Sequence, residues 1–173
     1  MSVTLKTTHG DLKIELFADT HPRSTFNFLA HAAAGTYTGV IFHRSIHGFA
    51  LQGGDPTGTG KGGEYIHGGY MADEFSDESI KHDRRGMVSW ASSTKRTTAT
   101  ADLDTIGSQF FITYEAQPHL DNQFTVFGRL VGERSLKTLE IIEEVPVGDS
   151  KKHRPIQDIK IDEVVIHANP LAK

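Results

Sequence analysis

The chain has 173 residues, 37% apolar and 23% charged, the proportions of a globular domain that can bury a core. A formal net charge of −4 gives no basic excess to drive nucleic-acid binding by counterion release, and no apolar run approaches the ~20 residues needed to cross a bilayer. Cysteine is absent, which excludes a disulfide scaffold, thiolate zinc sites and a cysteine nucleophile. The start Met1-Ser2-Val3-Thr4-Leu5-Lys6 has no apolar stretch behind a basic end, so no signal peptide is expected. The reading is one intracellular domain over residues 1–173.

In chain order, alternation and turn residues predict eight short strands and two helices. Val3 and Leu5 alternate along 3–7, His9-Gly10-Asp11 turns the chain, and Leu12, Ile14 and Leu16 alternate on the return. A helix follows, with Thr20 as its cap, Pro22 in the first turn, Phe26, Leu29, Ala30 and Ala33 as the inward stripe, and Gly35 as its stop. Further strands are predicted at 39–44, 49–52, 86–91, 109–113 and 125–131. A second helix over 135–144 turns Leu136, Leu139 and Ile142 inward and ends before Pro146. The last strand, 158–167, changes phase at Asp162-Glu163, where a bulge is expected. This pattern predicts a mainly β fold, a closed eight-stranded antiparallel barrel with the two helices covering its ends, because closure removes unpaired edges.

Two stretches, 53–69 and 92–106, lack regular pattern and are long enough to suggest function. Gly58-Thr59-Gly60-Lys61-Gly62-Gly63 fits G-x-G-x-x-G in letters, but no strong strand leads into it and no helix follows, so it reads as a flexible turn. A phosphate-binding Walker loop fails because Lys61 precedes Gly62 rather than Ser or Thr. Among ten histidines, His43 and His47 are four apart without a shared helix face, so no metal and no cofactor are expected. No G-x-S-x-G elbow presents a nucleophile. Asp73-Glu74 and Asp77-Glu78 read as a solvated loop face.

Phe42-His43-Arg44, Gly48-Phe49-Ala50-Leu51-Gln52-Gly53-Gly54-Asp55 and Gly107-Ser108-Gln109-Phe110-Phe111-Ile112-Thr113 remain. Each alone reads as an ordinary strand edge. Together with Asn27-Phe28-Leu29, Gly86-Met87-Val88-Ser89, Leu120-Asp121 and Val126-Phe127-Gly128, in this order, they resemble the cyclophilin family of peptidyl-prolyl isomerases over nearly the whole chain. The start Met1-Ser2-Val3-Thr4-Leu5 and the end Ile166-His167-Ala168-Asn169-Pro170 resemble the small single-domain cyclophilins associated with spliceosomes.

The resemblance implies cis-trans isomerisation of X-Pro bonds in peptides and proteins, assisting folding or conformational switching. Rotation about the amide costs ~18–20 kcal/mol because resonance must be broken, while the two X-Pro isomers differ by only ~0.5–1 kcal/mol. Twisting returns a lone pair to the proline nitrogen. A fixed guanidinium that donates to it stabilises the twisted state over either planar one. By resemblance Arg44 is the catalytic residue, and Gln52 orients it and bonds the peptide backbone. Phe49, Phe111 and Leu120 form the proline socket, and Ser92 and Gln109 meet the peptide backbone.

Four binding positions depart from the family pattern. Ala50 stands for a frequent methionine, Ser92 for asparagine, His119 for tryptophan and Phe124 for histidine. The first makes the pocket roomier, and the loss of tryptophan predicts weakened binding of cyclosporin, the cyclic peptide many cyclophilins take. The 92–106 loop, carrying Lys95 and Arg96, is longer than usual and is expected to tune peptide preference. Expected partners are proline-containing peptides and proteins, with spliceosomal proteins among them, and neither membrane nor nucleic acid. A monomer in the nucleus or cytoplasm is expected. The alternative function is a proline-peptide docking module without turnover in a larger assembly. A small-ligand barrel carrier is disfavoured because the many inward Phe, Ile and Leu side chains should fill so small an interior.

Overall fold

The structure is a computed structural model that describes residues 1–75, 77, 79–92 and 104–167. Lys95 and Arg96, most of the 92–106 loop, Glu78 and the Ala168-Asn169-Pro170 end lie outside the described residues. The elements are β1 (Ser2–Thr7), β2 (Gly10–Leu16), α1 (Pro22–Ala34), β3 (Arg44–Ile46), β4 (Ala50–Gly53), β5 (Met87–Ser92), β6 (Ile106–Thr113), β7 (Val126–Leu130), α2 (Glu133–Glu143) and β8 (Ile161–His167). A 3-10 turn spans Pro118–Leu120.

All eight strands join one antiparallel sheet in the order β3-β4-β6-β5-β7-β2-β1-β8, curled into a half-barrel. The regular ladder stops at β3 and β8. The predicted 39–44 strand is corrected here: only Arg44 enters β3, and Gly39, at φ 79°, breaks the extended run. Residues 39–42 instead bond along the start of β8. The N–H of Gly39 donates to Ile161 O at 2.7 Å, that of Ile161 to Val40 O at 2.9 Å, and that of Phe42 to Ile159 O at 2.8 Å. The expected bulge is present, since Lys6 pairs with Glu163 and Thr7 with Ile161, skipping Asp162.

Side chains alternate across the sheet, so one face of each strand points into the curl. Leu51, Val88, Trp90, Phe110 and Ile112 fill it together with Leu5, Leu12 and Ile14. Phe28 of α1 adds ring contacts to Tyr37, Phe110 and Phe127 at 5.2–5.4 Å, and Trp90 stacks on Phe127 at 4.3 Å. The interior is packed with aromatic rings, leaving it no role as a ligand container.

The inward face of α1 also differs from expectation. Ser24, Thr25, Asn27, Phe28, His31 and Ala32 are buried, while Phe26 is 51% exposed. Asn27 can face inward because it finds partners: its Nδ2 donates to Gly107 O at 2.9 Å and its Oδ1 accepts from the Ile66 N–H at 3.0 Å, whereas Ser24 Oγ and Thr25 Oγ1 are buried without a partner among the described residues. Thr20 is not the cap. The N-cap is His21, without a side-chain capping bond, and the Glu74 carboxylate accepts from the N–H groups of Arg23 (3.1 Å) and Ser24 (2.9 Å). Glu74 is therefore buried, and Asp73 accepts from Thr125 Oγ1 at 2.7 Å; this pair does not form the expected solvated face. In α2, Leu139 and Ile142 are buried with Ser135 and Thr138, but Leu136 is exposed.

Candidate active site

The register of three strand pairs builds the site. Arg44 lies opposite Gln52, Gln52 opposite Phe111, and Phe111 opposite Ser89, one row across β3, β4, β6 and β5. Their immediate neighbours Ser45, Leu51, Ile112 and Val88 face the packed interior, so this row faces the other way. On that outer face sits a second, smaller apolar cluster of Ala50, Ala91, Phe111 and Leu120, with Phe49 and Phe124 packed against it.

A cavity of about 240 Å³ opens over this cluster. Arg44, Phe49, Ala50, Gln52, Ser92, Phe111, Leu120 and Phe124 line it, as do Ile46 and Ala91, which the sequence did not single out. Arg44 is exposed, and its guanidinium makes no hydrogen bond or ion pair among the described residues.

Two residues placed in the site from sequence do not line the cavity itself. Gln109 is 1% exposed and lies behind Gln52, not on the cavity wall. Its Nε2 donates to Gly60 O (3.1 Å) and Gly62 O (2.8 Å), and its Oε1 accepts from Gln52 Nε2 at 3.0 Å. Its side chain thus positions Gln52, with both amide hydrogens engaged and Oε1 already accepting one bond. Gln52 keeps its carbonyl oxygen unbonded among the described residues, directly beside Arg44 in the register. His119 is exposed on the 3-10 turn, outside the cavity lining, with its ring 6.1 Å from that of Phe49.

The cavity floor has a support the sequence did not reveal. The ring of His82, fully buried, stacks on Phe111 at 5.8 Å and 9°, and Phe124 meets Phe111 edge-on at 5.7 Å. Asp121 Oδ1 holds His82 at both Nδ1 (2.9 Å) and the backbone N–H (2.8 Å), and Ser89 Oγ lies 3.0 Å from Nε2. Burial lowers the His82 pKa below the ordinary imidazole value, against the opposing pull of Asp121. Ser89, His82 and Asp121 have the partners of a hydrolytic triad, but Ser89 is fully buried in the wall and no substrate reaches it. His82 stands in a stretch without periodicity, 39 residues from Asp121, so no local signal pointed to it.

The glycine-rich turn proves to be organised by Asp55. Its carboxylate accepts from the N–H groups of Thr57 (2.8 Å), Gly60 (2.7 Å) and Gly62 (3.1 Å) and from Thr57 Oγ1 (2.8 Å). Burial raises the Asp55 pKa, but these hydrogen bonds outweigh it and hold the carboxyl below its usual value. A Cβ on Gly62 would collide with that carboxylate, so the glycine is required. The turn resembles a phosphate loop because its N–H groups do cradle an anion, one belonging to the chain itself.

The family described as "Cyclophilin type peptidyl-prolyl cis-trans isomerase/CLD" matches residues 2–166. Peptidyl-prolyl cis-trans isomerase-like 3 of Homo sapiens is 49% identical over 173 residues, covering 100% of both chains. An Arabidopsis thaliana peptidyl-prolyl cis-trans isomerase, CYP18-1, is 49% identical over 172 residues, covering 99% of each. A cyclophilin-type isomerase from Cryptosporidium parvum, solved in the presence of the dipeptide Ala-Pro, has a TM-score of 0.87 at 46% identity, over 98% of this chain and 100% of that one. The row of Arg44, Gln52 and Phe111 lies on the outer face of a sheet that this solved structure shares almost entirely. The chain belongs to the cyclophilin-type peptidyl-prolyl cis-trans isomerase family.

Proposed function

We propose that the outer cavity seats the proline ring of an X-Pro segment while Arg44 donates to the proline nitrogen as the bond twists. The observation that carries this reading is the guanidinium of Arg44, unpaired among the described residues, at a cavity floored by Phe111, Leu120 and Ala91. An apolar floor favours the ring, and a charged donor outside it favours the twisted amide, whose nitrogen becomes an acceptor only during rotation. The free oxygen of Gln52 accepts a peptide N–H and holds the chain across β4. No nucleophile or proton shuttle is needed, since no covalent bond is made or broken. The Ala-Pro dipeptide used with the Cryptosporidium parvum relative supports proline-containing peptides as the substrate class. The hydrogen bonds from 39–42 to 159–161 support reading the half-barrel as closed.

Arg44→Ala tests the assignment. Loss of a preorganised charged donor lowers kcat/KM about 10²- to 10³-fold, measured by exchange NMR on a short X-Pro peptide. Arg44 is exposed, so the thermal midpoint moves by no more than about 2 °C. Near-full activity overturns the catalytic role; a large fall in midpoint makes Arg44 structural.

A further inference from the structure

Beside the proline cavity runs a larger hollow of about 870 Å³, and Arg44 and Gln52 stand in the walls of both. Its remaining walls are the bridging segment with His43, the Asp55 turn and the loop 151–154. Lys61, Lys151, Lys152 and Arg154 line it and are exposed, so with Arg44 five cationic side chains share one hollow on a chain of net charge −4.

Little acidic charge opposes them. Asp55 is the carboxylate in the lining, and it is fully buried with its oxygens engaged by Thr57, Gly60 and Gly62. Asp158 pairs with Arg154 at 3.8 Å, and Asp149 accepts from the Lys151 backbone N–H at 2.8 Å. Lys61, Lys151 and Lys152 make no ion pair among the described residues. His43 adds no fixed charge at neutral pH, because burial lowers its pKa; Asp55 opposes that shift and Arg44 and Arg154 reinforce it. A concave surface lined by one sign of charge focuses the field and concentrates the opposite charge within it.

We infer that this hollow takes an acidic stretch, of Asp, Glu or phosphorylated side chains, from the same polypeptide whose proline fills the neighbouring cavity. The inference rests on the proline-cavity reading, because the shared Arg44 and Gln52 make one continuous surface of the two. An extended chain advances roughly 3.3 Å per residue, so acidic residues about two to four positions from the proline reach the hollow. A nucleic acid fits less well. Its charge continues beyond the hollow, over a surface that carries the excess of 22 acidic against 18 basic residues.

The test compares X-Pro peptides of one core carrying Asp, phosphoserine or neutral Ser two to four residues before or after the proline. Turnover is measured for the wild-type chain and a Lys151→Ser/Lys152→Ser double variant, at low and high salt. The wild type should turn over acidic peptides about three- to tenfold better than neutral ones at low salt, and the preference should shrink as salt rises. In the variant, which keeps Arg44, Lys61 and Arg154, the preference should shrink while neutral-peptide turnover stays at the wild-type value. Equal turnover of acidic and neutral peptides by the wild type, or a preference undiminished in the variant, overturns the inference. So does a single-stranded oligonucleotide that binds through Lys151 and Lys152 more tightly than the acidic peptides do. If the wild type turns over no peptide at all, the proline-cavity reading itself falls, and this inference with it.

Discussion

At the scale of the residue, we propose that His119 governs ligand binding from the rim without touching the chemistry. It is exposed on the 3-10 turn with its ring 6.1 Å from that of Phe49, beyond the cavity lining. Against the tryptophan that the family resemblance implies at this position, histidine offers less apolar area and a donor in a different direction. His119→Trp should therefore strengthen cyclosporin binding by roughly 1–3 kcal/mol, about 5- to 150-fold, read by calorimetry. No gain in the variant would refute this account of the rim. Gln109 illustrates the opposite case. Its position in the aromatic strand is legible in the sequence, but its bonds to Gly60, Gly62 and Gln52 are not, because only folding brings them around its amide.

At the scale of elements, α1 is the informative piece. Its extent could be read from Pro22 and Gly35, and the structure starts it at Pro22 and caps it with Gly35 in the left-handed conformation. Its cap and its buried face could not, because both depend on partners far along the chain. Glu74 lies about 50 residues from the N–H groups it accepts, so no local capping pattern announces it. Its negative charge also complements the positive end of the helix dipole. Glu74→Ala should cost about 0.5–2 kcal/mol in urea unfolding, and Glu74→Gln, which keeps an acceptor, should cost less. Unchanged stability in Glu74→Ala would show that the helix start is satisfied by other means.

At the scale of the molecule, four buried histidines couple the fold to pH. Burial is the largest cause of a lowered pKa at His21, His31, His43 and His82. A depressed imidazole pKa means that, below the ordinary value of 6.5, the unfolded chain binds protons that the folded chain does not. Unfolding free energy then rises with pH, so the stability is present above about pH 6.5 and is lost as pH falls toward the folded-state values. The thermal midpoint should accordingly drop between pH 7 and pH 5. Activity should fall over the same range only as far as the fold does, since Arg44 stays charged throughout. A midpoint that stays level from pH 7 to pH 5 would contradict this linkage.

The sequence by itself determined the family, the strand-rich plan, the bulge at Asp162 and the motifs that carry Arg44, Gln52 and Phe111. These properties live in short-range alternation and in compact motifs, where each residue's neighbours are its own sequence neighbours. The tertiary structure decided the rest. It turned Asn27 and His31 of α1 inward, set Glu74 at the helix start and stacked His82 beneath Phe111. It also spent the N–H groups of the glycine-rich turn on Asp55 and gathered Lys61, Lys151, Lys152 and Arg154 beside Arg44. Each of these depends on hydrogen bonds, stacking or charge between segments distant in the chain, and such pairings leave no periodic trace in the residues that make them.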